Sequence, residues 1–281
     1  MVKFLELSEK DFTRFADFIK LNYGINLTQK KSLIENRLKN TLISKGYDSF
    51  SKYIDNIIKE NNSNDIELML NKLTTNYTYF MREEQHFKFF KNVILPYLLE
   101  KNKSRKMFSI WSAGCSSGDE PYTISMILKD FMGSKAKEWD TRVLATDVSN
   151  NALNLAKQGV YDEQALKGVP SDWKKKYFKE TSEKDKYQVS DEIKNNVIFK
   201  NFNLMNPIKF KIKFDVIFCR NVMIYFEKDT KTDLVRRFYD ATNPGGYLLI
   251  GHSESLDKSQ YRYNYIQPAT FKKPETDATF K

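Results

Sequence analysis

The stretch FSIWSAGCSSGDEPYTI, residues Phe108 to Ile124, decides the fold class. An apolar run passes into small and polar residues with two glycines, and two adjacent carboxylates and a proline follow. A glycine-rich turn between a strand and a helix usually binds phosphate, because its backbone N–H groups and the helix N-terminus attract anions. Asp119 and Glu120 would repel a phosphate. The turn therefore predicts a ligand that approaches the backbone closely and carries positive charge or hydroxyl donors.

Around this stretch, short apolar runs alternate with segments of helical length. The runs are MFSIW, RVLATD, NVIFKNF, FDVIFCR and GYLLIGH. Such alternation predicts an α/β domain with a largely parallel sheet that helices cover on both faces, and we place it at residues 76–281. The polar segment KKKYFKETSEKDKYQVSDEI interrupts the pattern. It predicts an inserted antiparallel β-subdomain at residues 160–196.

The first 75 residues carry only helical signals. Four amphipathic helices are predicted: one after Ser8 that stops at Gly24, then Thr28 to Ser44, Ser49 to Glu60 and Asn64 to Leu73. Ser8 with Asp11 resembles a capping box. In the second helix, Leu33, Ile34, Leu38 and Ile43 are expected on the apolar side. Residues 1–75 are thus predicted to form a small all-helical domain.

Composition narrows the class of protein. The 281 residues are 41% hydrophobic and 29% charged, which is typical of a chain that buries a core. No apolar run reaches the roughly 18 residues of a membrane span, and the start lacks the apolar segment of a signal peptide, so we expect a cytoplasmic protein without membrane insertion. The two cysteines are expected to be buried thiols, and no metal-ligand spacing is present. The net charge of +10 does not by itself indicate nucleic acid.

Polar residues close four of the predicted strands, where an open parallel sheet binds its ligands. Asp147 ends the second strand, 29 residues past Gly118, and a carboxylate there suits a ribose diol. Asn203 and Asn221 follow later strands. A nucleoside without phosphates fits the acidic turn, and S-adenosylmethionine, with a cationic amino group and sulfonium, is the common one. Either Asp119 or Glu120 could face that charge.

The connector LTTNYTYFMREE allows two interpretations. If it is extended, Asn76, Thr78, Phe80 and Arg82 share one side and could line a pocket. Alternatively, it is an interdomain linker whose aromatic residues pack locally.

The chain resembles the CheR family of chemotaxis receptor methyltransferases. The resemblance rests on LTTNYTYFMRE, WSAGCSSGDEPYTI, ATDVSNNALNLAKQGVY, FNLMNP, FCRNVMIYF and NPGGYLLIGHSESL, in this order. It implies a Rossmann-like S-adenosylmethionine-dependent methyltransferase domain with a small antiparallel β-subdomain insertion, after a small all-helical domain. It also implies methyl transfer to glutamate side chains in the cytoplasmic domains of methyl-accepting chemotaxis receptors, with S-adenosylhomocysteine as product and a monomeric enzyme.

The resemblance implies a set of site residues. The cofactor contacts would be Asn76, Thr78, Arg82, Glu120, Asp147, Asn203, Leu204, Asn221 and Val222. Arg82 and Tyr225 would serve catalysis by holding a carboxylate and shaping the acceptor side. We add a substrate-binding hypothesis from the cations of the second helix, Lys30, Lys31, Arg37 and Lys39. The hairpin KETSEKDKYQVS lacks the glycine of family members that dock onto a receptor-tail peptide, so such docking is not predicted.

Two other functions stay open at this stage. A nucleic-acid methyltransferase on the same fold would suit the positive charge, but it would be expected to carry a PPY-type loop or a catalytic cysteine, and NLMNP is neither. A sensor that binds the cofactor and docks on receptors without catalysis is the third.

Overall fold

The structure is a computed structural model, which describes residues 6–60, 63–74, 77–256 and 261–276. These residues divide into two compact units. The first contains the described residues up to Thr74 and the segment Tyr225–Thr230, and the second contains Tyr77–Ile224 and the described residues from Lys231 onward. None of the helices in the described ranges combines the length and apolar character that crossing a bilayer requires.

The first unit is built from helices, as the sequence predicts. They are α1 (Glu9–Tyr23), α2 (Lys31–Ser44), α3 (Phe50–Glu60) and α4 (Ser63–Leu73). The Ser8 side chain accepts the N–H of Asp11 at 3.1 Å and so caps α1, while Gly24 ends the helix with φ of 72°. Both signals were read correctly because caps act locally, through the residues next to the helix end.

The apolar side of α2 differs from the prediction in one residue. Ile34, Leu38 and Leu42 are buried, whereas Ile43 is 49% exposed. Nine residues turn a helix through about 900°, so Ile43 points away from Ile34. The helix also begins at Lys31 instead of Thr28.

The segment Tyr225–Thr230 belongs to the first unit through three contacts. Asn26 donates its N–H to the Tyr225 carbonyl at 2.7 Å, and Ile25 and Phe226 form an antiparallel bridge. Lys20 Nζ lies 2.8 Å from a carboxylate oxygen of Glu227. A stretch far along the chain thus completes the helical unit.

The second unit contains a seven-stranded sheet. Its strands are β1 (Ile110–Ala113), β2 (Val143–Asp147), β6 (Val197–Asn201), β7 (Phe214–Cys219), β8 (Thr242–Ile250), β9 (Asn264–Gln267) and β10 (Thr270–Lys272). The order is β6-β2-β1-β7-β8-β10-β9, with the first five strands parallel and β10 antiparallel to both neighbours. Because β1 lies between β2 and β7, the strand order reverses there, and such a switch point opens a crevice beyond the carboxyl ends.

Helices lie before and between these strands. They are α5 (Glu84–Phe89), a π-helical turn (Phe90–Ile94), α6 (Leu95–Lys101), α7 (Asp119–Met132), α8 (Asn150–Gln158), α9 (Ser171–Tyr177), α10 (Asp191–Lys194) and α11 (Lys228–Ala241).

The indole of Trp111 is fully buried on β1 and donates to the Thr146 hydroxyl at 2.9 Å. Both cysteines are buried thiols, as predicted.

A second, three-stranded antiparallel sheet lies within the predicted insertion. It consists of β3 (Val160–Asp162), β4 (Phe178–Glu180) and β5 (Lys186–Val189), in the order β3-β5-β4. The ring of Phe80 packs edge-on against Tyr161 and Phe178, with centroids 4.8 and 5.2 Å apart. The connector is therefore packed against this small sheet through Phe80.

Candidate active site

The loop between β1 and α7 approaches the loop after β7 very closely. Gly114 has φ of 85°, and a Cβ there would collide with Val222 Cγ2. Gly118 has φ of 95°, and a Cβ there would lie 2.9 Å from Ala156 Cβ. Only glycine fits both positions without displacement. The loop forms a tight backbone cradle at the switch point of the sheet.

Asp147 ends β2 and points its carboxylate at this loop. Oδ2 accepts the N–H of Ser116 at 2.8 Å, and Oδ1 accepts the N–H of Ser149 at 2.9 Å. Two backbone donors on opposite sides fix the plane of the carboxylate, and its side chain is half-buried. An acceptor held in this way suits the hydroxyls of a ribose.

The structure separates the two carboxylates of the acidic pair. Asp119 is 1% exposed, accepts the Ser117 hydroxyl at 2.8 Å, and has its pKa raised to about 6 by burial. Glu120 instead accepts the Ser112 hydroxyl at 2.7 Å and lies 3.0 Å from Arg220 Nη1. Asp119 therefore bonds within its own loop, whereas Glu120 contacts residues of β1 and of the loop after β7. The sequence pattern alone did not distinguish these two roles.

The loop after β7 holds Asn221 in a left-handed conformation with φ of 58°. The buried carboxylate of Glu254 stabilises this turn by accepting the N–H groups of Asn221, Gly251 and Ile224 at 3.0, 2.6 and 3.1 Å. Burial raises the pKa of Glu254, and these N–H groups oppose that rise. Asn221 thus has its backbone fixed before any ligand arrives.

The connector is not extended along its whole length. Residues 80–83 form a turn in which Met81 and Glu83 have φ of 62° and 57°. Phe80 is fully buried, whereas Thr78 and Arg82 are half-buried, so the predicted alternation beyond Tyr79 is wrong. The left-handed residues break the two-residue period of an extended chain. Asn76 lies outside the described residues.

Two charged residues in this region were assigned no role from the sequence. Arg220 is 6% exposed and lies 3.1 Å from Glu83. Burial would raise the pKa of Glu83, but contacts from His86, Arg220, Asn221 and the His252 N–H hold that pKa well below its usual range. One signal was available: Arg220 stands inside the apolar run VIFCRNVMI, where an unpaired charge would be costly.

Asn203 and Leu204 follow β6, at the far side of β2. Asn203 Oδ1 accepts the N–H of Met205 at 2.9 Å, and the Leu204 carbonyl accepts Arg237 Nη1 at 2.6 Å. Leu204 itself is 8% exposed. With Glu120, Asp147 and Asn221, they stand at the carboxyl ends of adjacent parallel strands.

The remaining predicted residues belong to the helical unit. Lys30 immediately precedes α2, Lys31 Nζ lies 2.7 Å from Glu9, and Arg37 Nη1 donates to the carbonyls of Lys72 and Leu73 at 3.0 and 3.2 Å. Arg37 therefore caps the end of α4. Successive residues are about 100° apart around a helix, so Arg37 and Lys39 lie about 160° apart and do not share a face. The catalytic role of Tyr225 stays a prediction.

Metal binding was considered for one group in the described part of the chain. The ligand atoms of Glu83, His86 and His252 lie within 4.8 Å of one another. Glu83 already accepts hydrogen bonds from Asn221, His252 and Arg220. The adjacent guanidinium would repel a cation, so this geometry favours an ion-paired carboxylate over a metal ligand.

Comparison with known proteins identifies the family. A family model described as "CheR methyltransferase, SAM binding domain" matches residues 76–271, and one described as "CheR methyltransferase, all-alpha domain" matches residues 10–74. The chain belongs to the CheR methyltransferase family. It is 42% identical over 273 residues to a "Chemotaxis protein methyltransferase" of Borreliella burgdorferi, covering 96% of both chains.

Two further relatives agree with this assignment to the CheR family. A "Probable chemotaxis protein methyltransferase" of Rhizobium etli is 37% identical, over 89% of this chain and 94% of its own. A "Chemotaxis protein methyltransferase" of Salmonella typhimurium is 35% identical, over 91% and 87%. The protein is thus a chemotaxis protein methyltransferase that uses S-adenosylmethionine, as the sequence predicted.

The site fits this cofactor on its own geometry. At Gly114 and Gly118 a Cβ would meet Val222 and Ala156, so the glycines let the loop after β1 pack closely against its neighbours at the switch point. Asp147 stands beside that cradle as an oriented acceptor. A cofactor with a cationic amino group and sulfonium and without phosphates is in keeping with the acidic residues Asp119 and Glu120 at the start of α7.

Proposed function

We propose that this CheR methyltransferase esterifies glutamate side chains in the cytoplasmic domains of methyl-accepting chemotaxis receptors, producing glutamyl 5-O-methyl esters. The observation that carries the proposal is the convergence of Glu120, Asp147 and Asn221 at the carboxyl ends of β1, β2 and β7. S-adenosylmethionine, when bound there, supplies a methyl group on a positively charged sulfur and leaves as S-adenosylhomocysteine.

Named residues would hold the cofactor in this crevice. Asp147 would accept the ribose hydroxyls, because two backbone N–H groups already fix its orientation. Asn221 and Val222 stand on the preorganised turn after β7, and Asn203 and Leu204 on the loop after β6. Glu120, Thr78, Arg82 and Asn76 complete the proposed set. Oriented groups of this kind bind without a further ordering cost.

The acceptor needs positioning more than proton transfer. A glutamate with a reference pKa near 4.3 is almost wholly ionised at neutral pH, so it is already a nucleophile and no general base is required. Alignment of the carboxylate and exclusion of water then supply the acceleration. Arg82 would hold a carboxylate by its planar guanidinium, and Tyr225 would shape the acceptor side.

We further propose that the enzyme works as a cytoplasmic monomer without contact to nucleic acid, and that the cations of the α2 region, Lys30, Lys31, Arg37 and Lys39, attract the acidic receptor. Charge complementarity of that kind mainly raises the rate at which the enzyme and the receptor associate. Within the helical unit, Lys31 pairs with Glu9 and Arg37 donates to the end of α4.

A single-turnover experiment tests the proposed reaction. Enzyme loaded with methyl-labelled cofactor is mixed with receptor-containing membranes, and the proteins are then treated with mild alkali. A glutamyl ester releases labelled methanol under these conditions, whereas methylated nitrogen does not. Label on nucleic acid, alkali-stable label, or cofactor binding without transfer would each contradict the proposal.

A further inference from the structure

Arg220 is the most deeply buried cation of the crevice region. Its side chain is 2% exposed, and its guanidinium carbon lies 5.0 Å from the centre of the Phe87 ring. Nη1 lies 3.0 Å from Glu120, and Nη2 lies 3.1 Å from Glu83. Nη2 also donates to the main-chain carbonyl of Arg82. One planar group therefore joins the connector turn to the first turn of α7.

Glu83 extends this network to the loop after β7. Its Oε1 accepts Asn221 Nδ2 and the N–H of His252, each at 3.2 Å, while Oε2 faces Arg220. Three segments that are distant along the chain thus meet at one ion pair. Each of them carries a residue of the proposed site: Arg82, Glu120 and Asn221.

Stability alone does not account for this arrangement. Removing an arginine and two carboxylates from water is expensive, and well-packed apolar side chains often replace a buried ion pair without loss of stability. Arg220 Nε is also buried without a hydrogen-bond partner in the described structure. The Arg220 guanidinium is costly to bury and its ion-pair network contacts three segments of the site. We therefore attribute it to the positioning of those segments.

We propose that the Arg220–Glu83 ion pair is the positioning element of the active site, with Arg220 holding Arg82 and Glu120 in register. Neither member of the pair is required to touch the substrate. The proposal rests on the proposed roles of Arg82 and Glu120. Arginine is required because its planar fork reaches two partners at once, whereas a lysine ammonium on a single stem would satisfy one side only.

The test substitutes Arg220→Lys, which keeps the positive charge beside both carboxylates. We expect kcat to fall about 10-fold or more, because small displacements of an aligned group are costly to catalysis. Affinity for S-adenosylhomocysteine should fall about 3-fold or more, because Glu120, a proposed cofactor contact, would no longer be held by Arg220. Arg105→Lys is the control. Arg105 precedes β1, and its Nη2 contacts the buried carboxylate of Asp215 at 2.7 and 2.6 Å, outside the proposed site. The Arg105 side chain is 38% exposed, so that variant should lose less stability in urea than Arg220→Lys, and it should keep its activity.

Double variants separate positioning from a merely structural role. If Arg220 acts through Arg82, then Arg82→Ala should reduce kcat much less in the Arg220→Lys background than in the native one. Likewise, Glu120→Gln should weaken S-adenosylhomocysteine binding less in that background. Additive effects in both cycles would overturn the proposal.

The outcomes also distinguish this inference from the proposed site. If Arg82→Ala and Glu120→Gln are each silent in the native background, the assigned roles fail and the inference with them. If those two are impaired but Arg220→Lys behaves like Arg105→Lys, only the inference fails. Should Arg220→Lys not fold, Glu83→Gln carries the same cycles, because it removes one arm of the pair and leaves the Arg220–Glu120 contact.

Discussion

The carboxylate of Asp147 accepts the backbone N–H of Ser116 at 2.8 Å, which ties the last residue of β2 to the glycine loop after β1. In Asp147→Ala, two charge-assisted hydrogen bonds to the ribose would be lost, and we expect S-adenosylhomocysteine affinity to fall about 10-fold or more in calorimetry. Asp140→Ala is the control, since Asp140 lies just before the start of β2, away from Asp147, and accepts from Arg142. Equal affinity in all three proteins would remove Asp147 from the site.

Arg82 is expected to act mainly on turnover. Its Nη1 donates to the Tyr77 carbonyl at 2.8 Å, which places the guanidinium beside the connector. In Arg82→Ala, kcat should fall about 10-fold more than S-adenosylhomocysteine affinity does, because the lost interaction is made chiefly in the transition state. Lys88→Ala removes an exposed cation one turn into α5 and should change neither quantity. Parallel losses in kcat and affinity would make Arg82 a simple binding residue.

Asp119 should make stability depend on pH. Burial raises its folded pKa to about 6 from 3.8, so the folded state binds a proton that the unfolded state releases between these values. Folding stability from this group is therefore highest below pH 4 and falls as pH rises through 6, by up to about 3 kcal/mol. Asp119→Asn should be more stable than the native protein at pH 7.5 and nearly equal to it at pH 4, measured by urea unfolding. A difference that does not change with pH would contradict the assignment.

The receptor-binding hypothesis for the α2 region is tested at Lys30 and Lys39, since substitution of Lys31 would also break its ion pair with Glu9. Lys30→Glu with Lys39→Glu should raise the apparent KM for receptor and flatten its salt dependence, because exposed charges are screened over roughly 10 Å at 0.1 M salt. Cofactor affinity should stay the same. Lys52→Glu with Lys59→Glu makes the same charge change on α3, where both lysines are about two-thirds exposed. Identical KM values in the two double variants would exclude α2 as a specific binding surface for the receptor.

Arg37 is left out of that variant for a structural reason. It donates to the last carbonyls of α4, so its substitution would mix a capping defect with any effect on the receptor. This contact joins residues 35 and 36 positions apart in the chain. A local pattern of basic residues carries no information about such a pairing.

Local signals predicted much of the fold. The cap at Ser8, the stop at Gly24, the strand runs and the polar residues at the strand ends all depend on neighbours in the chain, and the structure confirms their placement. The connector turn was missed because the left-handed conformations of Met81 and Glu83 are not favoured by their residue types. They are held by tertiary contacts, among them the Arg220–Glu83 pair, whose members stand 137 positions apart.

Peptide mapping of the methylated product tests the central claim most directly. Receptor membranes are methylated by the enzyme, the receptor is digested, and mass spectrometry locates the added methyl group before and after mild alkali. Our account predicts methyl groups on glutamate side chains of the receptor's cytoplasmic domain, removed by alkali and strongly reduced with Asp147→Ala. Methyl groups on any other residue type, or glutamyl methylation that persists undiminished in Asp147→Ala, would contradict it.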